Sequence, residues 1–305
     1  MSGSSRLPPQ FGASIDPSAA DPEEPFRRAK IADENSLDLI TIMDHPYNRR
    51  LFDTWTLLTA IGIRTERVRL GTNVLSLPLR PPAMLAKQAA TLDVLTGGRV
   101  EIGLGAGAYW DGIAAYGGPR RTPGEAYTAF KDALHILRGL WDSDGRSVTY
   151  LGEIYQVDRA RPGPRPAHRI PIWVGAYGPR MHNLLGMMAD GLLVSYNYQT
   201  PENLHIFNQR IDAGAEEAGR DPGQIRRGYN LMGVIDVGRE DTTLANPKDG
   251  TLYGTIDEWV ERITDWYRSY RQDTFIFWPA EGNKEVQVEA FAKEVVPAVK
   301  RELGY

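Results

Sequence analysis

Val68-Arg-Leu-Gly-Thr-Asn-Val74 and Val100-Glu-Ile-Gly-Leu104 flank a stretch in which Leu85, Ala89, Leu92 and Leu95 recur at helical spacing. Short apolar-rich runs read as strands, and an apolar stripe of period near 3.6 reads as a helix facing a core. This strand–helix–strand unit is one of a series. Upstream lie Phe11 to Ile15, ending before the turn signal Asp16-Pro17, and Leu37 to Met43, ending before Asp44-His45-Pro46. Downstream lie Ile172 to Val174, Gly191 to Ser195, Tyr229 to Val237 and Thr274 to Trp278.

Helical patterns fill the gaps. Phe130, Leu134, Leu137 and Trp141 form one stripe. Leu204, Phe207, Ile211, Ala215 and Ala218 form another, with Thr200 as predicted N-cap and Pro201 at the first helical position. Thr255-Ile-Asp-Glu258 spells a capping box before Ile256, Val260, Ile263 and Tyr267. Val288, Ala292, Val295 and Val299 mark a last helix. Eight strand-then-helix units in 305 residues predict an α/β fold, a (β/α)8 TIM barrel. An open doubly wound sheet is the alternative, because strand order is not visible in sequence.

The expected organisation is one barrel domain over 1–305, with a flexible tail at 1–9 and insertions at 143–169 and 238–253, after the fourth and seventh strand regions. In the first insertion Ser147 to Val157 reads as a hairpin turning near Gly152, and Arg161-Pro-Gly-Pro-Arg-Pro166 as a stiff return path. The second is polar and turn-rich.

Composition narrows the function classes. A net charge of -4 argues against a nucleic-acid binder, which needs a basic surface. No apolar run approaches the length of about 18 residues that a membrane helix needs. The opening Met1-Ser-Gly-Ser-Ser5 lacks the apolar core of a secretory signal, so a cytoplasmic protein is expected. The absence of cysteine excludes disulfides, thiolate nucleophiles and thiolate-held metals. His45, His135, His168, His182 and His205 lie far apart with no acidic cluster beside them, so no metal site is expected.

In such barrels the site forms from the loops after the strands. His45 is the only histidine placed directly at a strand end; its imidazole titrates near neutrality and can carry a proton, or it can be a structural loop residue. Asp44 can join it or simply cap the turn. Gly103-Leu-Gly-Ala-Gly107 lacks the third glycine of a dinucleotide fingerprint and reads as a tight turn near a flat ligand. Gly175-Ala-Tyr-Gly178 precedes a helix starting near Pro179, which points N–H groups at an anion with Arg180 adding charge, unless it is a plain turn. Tyr109, Trp110, Tyr196 and Tyr198 either wall a pocket or pack.

Taken together, these segments resemble the luciferase-like monooxygenase superfamily, in particular its deazaflavin-dependent oxidoreductases. The resemblance is carried by Asp44-His45, Thr65-Glu-Arg-Val-Arg-Leu-Gly-Thr72, Pro82 to Asp93, Leu95-Thr-Gly-Gly-Arg99, Gly103 to Gly107, Ile172-Trp-Val-Gly175, Gly178-Pro-Arg180 and Ala189-Asp-Gly191. It implies a barrel holding coenzyme F-420, an 8-hydroxy-5-deazaflavin, or FMN in its mouth. It implies a cis peptide at Asn73-Val74 against the ring, Asp44 and His45 beside the reactive face, Ser76 near the ring, Gly105, Ala106 and Gly107 against it, and Gly175, Ala176, Tyr177, Gly178 and Arg180 around the phosphate. The glutamate that related sugar dehydrogenases carry two residues after the glycine matched to Ala106 is Ala108 here, directly after Gly107, and their phosphate-binding lysine after strand six is missing from Ser195-Tyr-Asn-Tyr198. The expected activity is hydride transfer between the reduced deazaflavin and a less charged organic substrate. The alternatives are an FMN-dependent monooxygenase fed by a separate reductase, and a non-catalytic flavin-binding barrel. A homodimer is expected by analogy.

Overall fold

A computed structural model describes residues 6–238 and 250–305. Eight parallel strands close on themselves: β1 (Gln10–Ile15), β2 (Leu39–Ile42), β3 (Arg69–Thr72), β4 (Val100–Gly105), β5 (Ile172–Gly175), β6 (Gly191–Ser195), β7 (Arg226–Asp236) and β8 (Thr274–Pro279). Consecutive strands pair in order, β6 pairs β7, and β8 pairs β1 through registers such as Phe11 opposite Phe275. Closure removes every free edge, and the structure is a TIM barrel. Two short strands extend the wall: Leu75–Ser76 beside β4 and Leu252–Thr255 beside β7.

Helices α1 (Glu24–Glu34), α2 (Thr54–Gly62), α3 (Pro82–Leu95), α4 (Pro123–Asp142), α5 (Pro179–Met188), α6 (Leu204–Glu217) and α7 (Ile256–Tyr270) follow the first seven strands. An eighth, α8, runs from Lys284 to Leu303 through a π turn at Phe291–Val295. That turn sits just before Pro297, whose missing N–H breaks the regular ladder. The Thr255–Glu258 capping box forms as expected. Thr200 does not cap α6 directly: Pro201–Asn203 makes a 3-10 turn first, and the helix begins at Leu204. In α3, Leu95 is 65% exposed, because at the last residue the stripe has rotated off the buried face.

The hairpin pairs Val148–Leu151 with Gln156–Ala160. It is pinned to α4 by Asp132, whose carboxylate accepts from Tyr150 Oη at 2.9 Å, Ile154 N at 2.8 Å and Tyr155 N at 3.0 Å. A Cβ at Gly152 would collide with that carboxylate, so only glycine fits. Residues 1–5 lie outside the described residues, but Arg6 donates to the carbonyls of Tyr267 and Arg268 at 2.9 and 2.7 Å, and Leu7 O accepts from Tyr267 Oη at 3.1 Å. Most of the predicted second insertion, 239–249, also lies outside the described residues.

Alternation along each strand gives the barrel two apolar layers. Phe11, Ile40, Ile42 and Phe275 face outward into the main core under the helices. Leu39, Trp173, Leu193 and Ile276 fill the lumen. Below them Trp173 Nε1 donates to Glu101 Oε2 at 2.6 Å, and Glu101 is ion-paired with Arg69. The lumen is therefore plugged at its lower end and opens at the C-terminal mouth.

Candidate functional site

At the end of β2 the chain delivers two adjacent polar residues to different fates. Asp44 turns inward and is 2% exposed. Its Oδ2 accepts from Ser76 N at 3.0 Å and Arg80 Nε at 3.2 Å, and its Oδ1 from Arg80 Nη2 at 2.8 Å. Arg80 Nη2 also reaches Asp53 Oδ2 at 2.6 Å, and Asp53 caps α2 by accepting from Thr56 N at 2.9 Å. Burial works against the Arg80 charge, but the two carboxylates outweigh it and hold the guanidinium pKa above its ordinary range. Asp44 thus ties the end of β2 to the loop after β3.

His45 turns outward and is exposed at the rim. Its Nδ1 lies 2.8 Å from Tyr47 Oη. The crowded inner side of the ring lowers the imidazole pKa, and the Asp44 charge opposes that shift only in part. A neutral imidazole is the form at pH 7. Tyr109 from the β4 loop closes the group, edge-on to Tyr47 with centroids 5.2 Å apart.

After β3 the Asn73–Val74 peptide is cis. The Asn73 amide is buried and donates across the lumen to Asn230 Oδ1 on β7 at 2.7 Å; Asn230 Nδ2 donates to Ser195 Oγ at 3.1 Å. Val74 projects over bare backbone: a Cβ at Gly105 would come within 2.8 Å of its Cγ2, and one at Gly175 within 3.0 Å. The glycines at the ends of β4 and β5 make room for Val74, and together they form a smooth apolar platform with half-buried Ala106 alongside. Gly107 adopts φ +102°, with Pro78 and Trp110 crowding the place of a Cβ. Ser76 Oγ, at the edge of the platform, has no hydrogen-bond partner among the described residues.

Beside the platform, Gly175 leads into α5. Gly178 is its N-cap with no capping side chain, and Pro179 occupies the first turn. The first helical N–H bonded back is that of His182, to Gly178 O at 3.1 Å, so the preceding donors are free for an anion. A Cβ on Gly178 would stand in open space. Arg180 is exposed and lies over the Tyr127 ring at 4.1 Å. Beneath the turn, buried His182 bonds the Ala176 carbonyl through Nε2 at 3.1 Å, and burial lowers its pKa to about 4. Its neutral Nε2–H therefore donates to the loop and fixes the path of Ala176 and Tyr177.

Residues distant in sequence are thus brought together: Val74 with Gly105 and Gly175, and Asp44 with Ser76. Arg80, Asn230, His182 and Tyr127 were not anticipated as site residues; a lone arginine between Leu79 and Pro81 was the one local signal for the first. On the other side of the mouth a cavity of about 210 Å³ opens, lined by Ser14, Asp16, Arg28, Met43, Met232 and Trp278 among others. A phosphate-bearing flat cofactor fits this geometry: an apolar ledge for a ring, a free helix N-terminus for an anion, and an adjacent cavity for a second reactant. Among the described residues no group of three or more metal-ligating side chains occurs.

Barrel, glycine-lined platform and uncapped α5 start make the C-terminal mouth of this TIM barrel the candidate site. The chain belongs to the luciferase-like monooxygenase family, whose sequence profile matches residues 1–245. It is 31% identical over 193 residues to the 5,10-methylenetetrahydromethanopterin reductase of Archaeoglobus fulgidus, covering 63% of this chain and 54% of that protein. It is 30% identical over 240 residues to the F420-dependent glucose-6-phosphate dehydrogenase of Nakamurella multipartita, covering 76% of this chain and 70% of that one. The chain spans little more than half the length of the methylenetetrahydromethanopterin reductases that it matches. In structure it resembles an F420-dependent secondary alcohol dehydrogenase solved with an F420–acetone adduct, with a TM-score of 0.84, 21% identity, and coverage of 96% of this chain and 99% of that one.

Proposed function

We propose that this chain is an oxidoreductase that moves a hydride between coenzyme F-420 and an organic substrate. The observation that carries the reading is the Val74 platform beside the uncapped start of α5, with His45 exposed at the rim after β2. The relatives named above support the choice of coenzyme. Val74, Gly105, Ala106 and Gly175 would support the ring; Ser76 Oγ offers an unused hydrogen bond at its edge. Gly178, the N–H groups after it and Arg180 would hold the phosphate. When bound, the deazaflavin supplies a carbon centre that gives or takes hydride, a two-electron carrier.

The protein contributes placement and a proton. Holding two reactants face to face removes much of the entropic barrier to their meeting. His45, neutral at pH 7, takes the substrate proton at its ring nitrogen in the oxidative direction and returns it in the reductive one. Arg80 and Ser76 N engage both oxygens of Asp44, which sets the position of His45 and of the Ser76 loop. Ala108 and the Ser195–Tyr198 segment provide neither the acid nor the lysine of a sugar-phosphate site, so the substrate is a less charged molecule. The reading includes a homodimer, a cytoplasmic location and a separate enzyme that regenerates the reduced coenzyme.

The test is anaerobic and aerobic turnover with either reduced cofactor. Oxidation of reduced F-420 by a carbonyl substrate without oxygen uptake is expected. Oxygen consumption with reduced FMN, and none of that hydride transfer, would replace this reading with an FMN-dependent monooxygenase.

A further inference from the structure

We propose that Tyr47 is the positioning residue that engages Nδ1 of His45 and leaves Nε2 as the one ring nitrogen free to exchange a proton with substrate. The inference rests on the role given to His45 above. Nδ1 and Tyr47 Oη are 2.8 Å apart, and among the described residues this is the only hydrogen bond of the imidazole. Tyr47 is itself held from two further sides. Tyr109 packs edge-on to it at 62°, and a Cβ at Gly112 would come within 2.8 Å of its ring. That glycine, in the short helix Trp110–Ala115, is therefore required for the phenol to reach its place.

A phenol suits this task in both protonation states of its partner. Its oxygen accepts from Nδ1–H in the neutral ring, whose bare Nε2 takes the proton, and goes on accepting from Nδ1–H in the imidazolium, so the contact survives proton transfer at Nε2. In substrate oxidation the O–H bond of an alcohol breaks and its proton goes to Nε2. The electron pair of the neighbouring C–H bond leaves as hydride to the oxidised deazaflavin, and the new imidazolium donates Nδ1–H to Tyr47 Oη. The groups facing the imidazole are few: Asp44, already paired with Arg80, on its own strand end; Tyr47 and Arg49 on its loop; and Tyr109 from the β4 loop. Burial keeps the Tyr47 phenol pKa raised, with the Asp44 charge adding to it, so Tyr47 stays protonated and acts as a hydrogen-bond partner.

The test uses the full chain labelled with 15N at histidine, without cofactor, in parent and Tyr47→Phe forms. Phe keeps the ring that fills the space at Gly112 and removes only the hydroxyl. In the parent, His45 should show one dominant tautomer. In Tyr47→Phe the tautomer ratio should relax toward that of free imidazole and the His45 titration should move. The pH profile of hydride transfer should move with it, and the rate should fall about tenfold, the factor that one lost hydrogen bond carries. Coenzyme affinity should hold. An unchanged tautomer ratio and pH profile in Tyr47→Phe, with His45→Gln still inactive, would overturn the inference and leave the His45 reading intact. Full turnover by His45→Gln would overturn both.

Discussion

The two ends of the barrel lumen are built on opposite rules. At the lower end of the lumen Arg69, Glu101 and Trp173 satisfy one another beneath a plug of Leu39, Leu193 and Ile276. At the mouth β4 and β5 end in glycine, the α5 N-terminus is uncapped, Ser76 Oγ has no partner among the described residues, and His45 is free on one side. Buried polar groups without partners cost stability, so a fold tolerates them where a ligand completes them. Stability and function are separated along the barrel axis, and each end should fail in its own way.

The largest effect is expected at the mouth. His45→Gln keeps hydrogen-bonding capacity but cannot titrate, and it should lower the rate of hydride transfer about 10²–10⁴-fold, while coenzyme affinity changes by less than about tenfold. Pre-steady-state hydride transfer is the readout. The sign of the pH dependence follows from the lowered His45 pKa. The neutral base is present above that pKa, so oxidative turnover should be flat through pH 7 and fall only below the ordinary histidine value of about 6.5. A parental rate in the variant would make the two ends of the lumen alike in being structural.

At the lower end, Trp173→Ala should cost about 3–5 kcal/mol of stability, read from the denaturant midpoint, because it empties the plug and strips Glu101 of a donor. Coenzyme binding by the folded fraction should persist, since Gly105, Gly175 and the α5 start are untouched and Val74 keeps Leu39, Leu193 and Ile276 of the plug beneath it. A stable Trp173→Ala that no longer binds coenzyme would break the separation.

Smaller effects are expected at the phosphate turn. Gly178→Val adds a side chain into open space, so the apoprotein should fold as before while coenzyme affinity falls by at least about tenfold. Arg180→Ala removes an exposed charge and should weaken binding by less than about tenfold, with a flatter salt dependence. If both variants bind like the parent, the α5 start is scaffold and the anion lies elsewhere.

The same contrast explains what could be read before folding. The eight strands, the hairpin at Gly152 and the capping box at Thr255 are local patterns, and each is present. The barrel itself was legible as a count of alternating units. Contacts across the closed lumen were not. Asn73 meets Asn230 across 157 residues, and Asp44 meets Arg80 across 36. Asn230 has no periodicity or motif that announces it, and Arg80 only its place between Leu79 and Pro81. The glycines at 103–107 were legible as a place of close approach, but what approaches Gly105 is Val74 of the same chain. Local sequence shows that space is needed; only tertiary structure shows what fills it.

The central claim is that the platform and the α5 start hold a deazaflavin. Fluorescence titration of the pure protein with F-420 and, separately, with FMN tests it most directly. The account predicts that F-420 binds at least about tenfold tighter, a difference of about 1.4 kcal/mol. Equal affinities, or tighter binding of FMN, would contradict it.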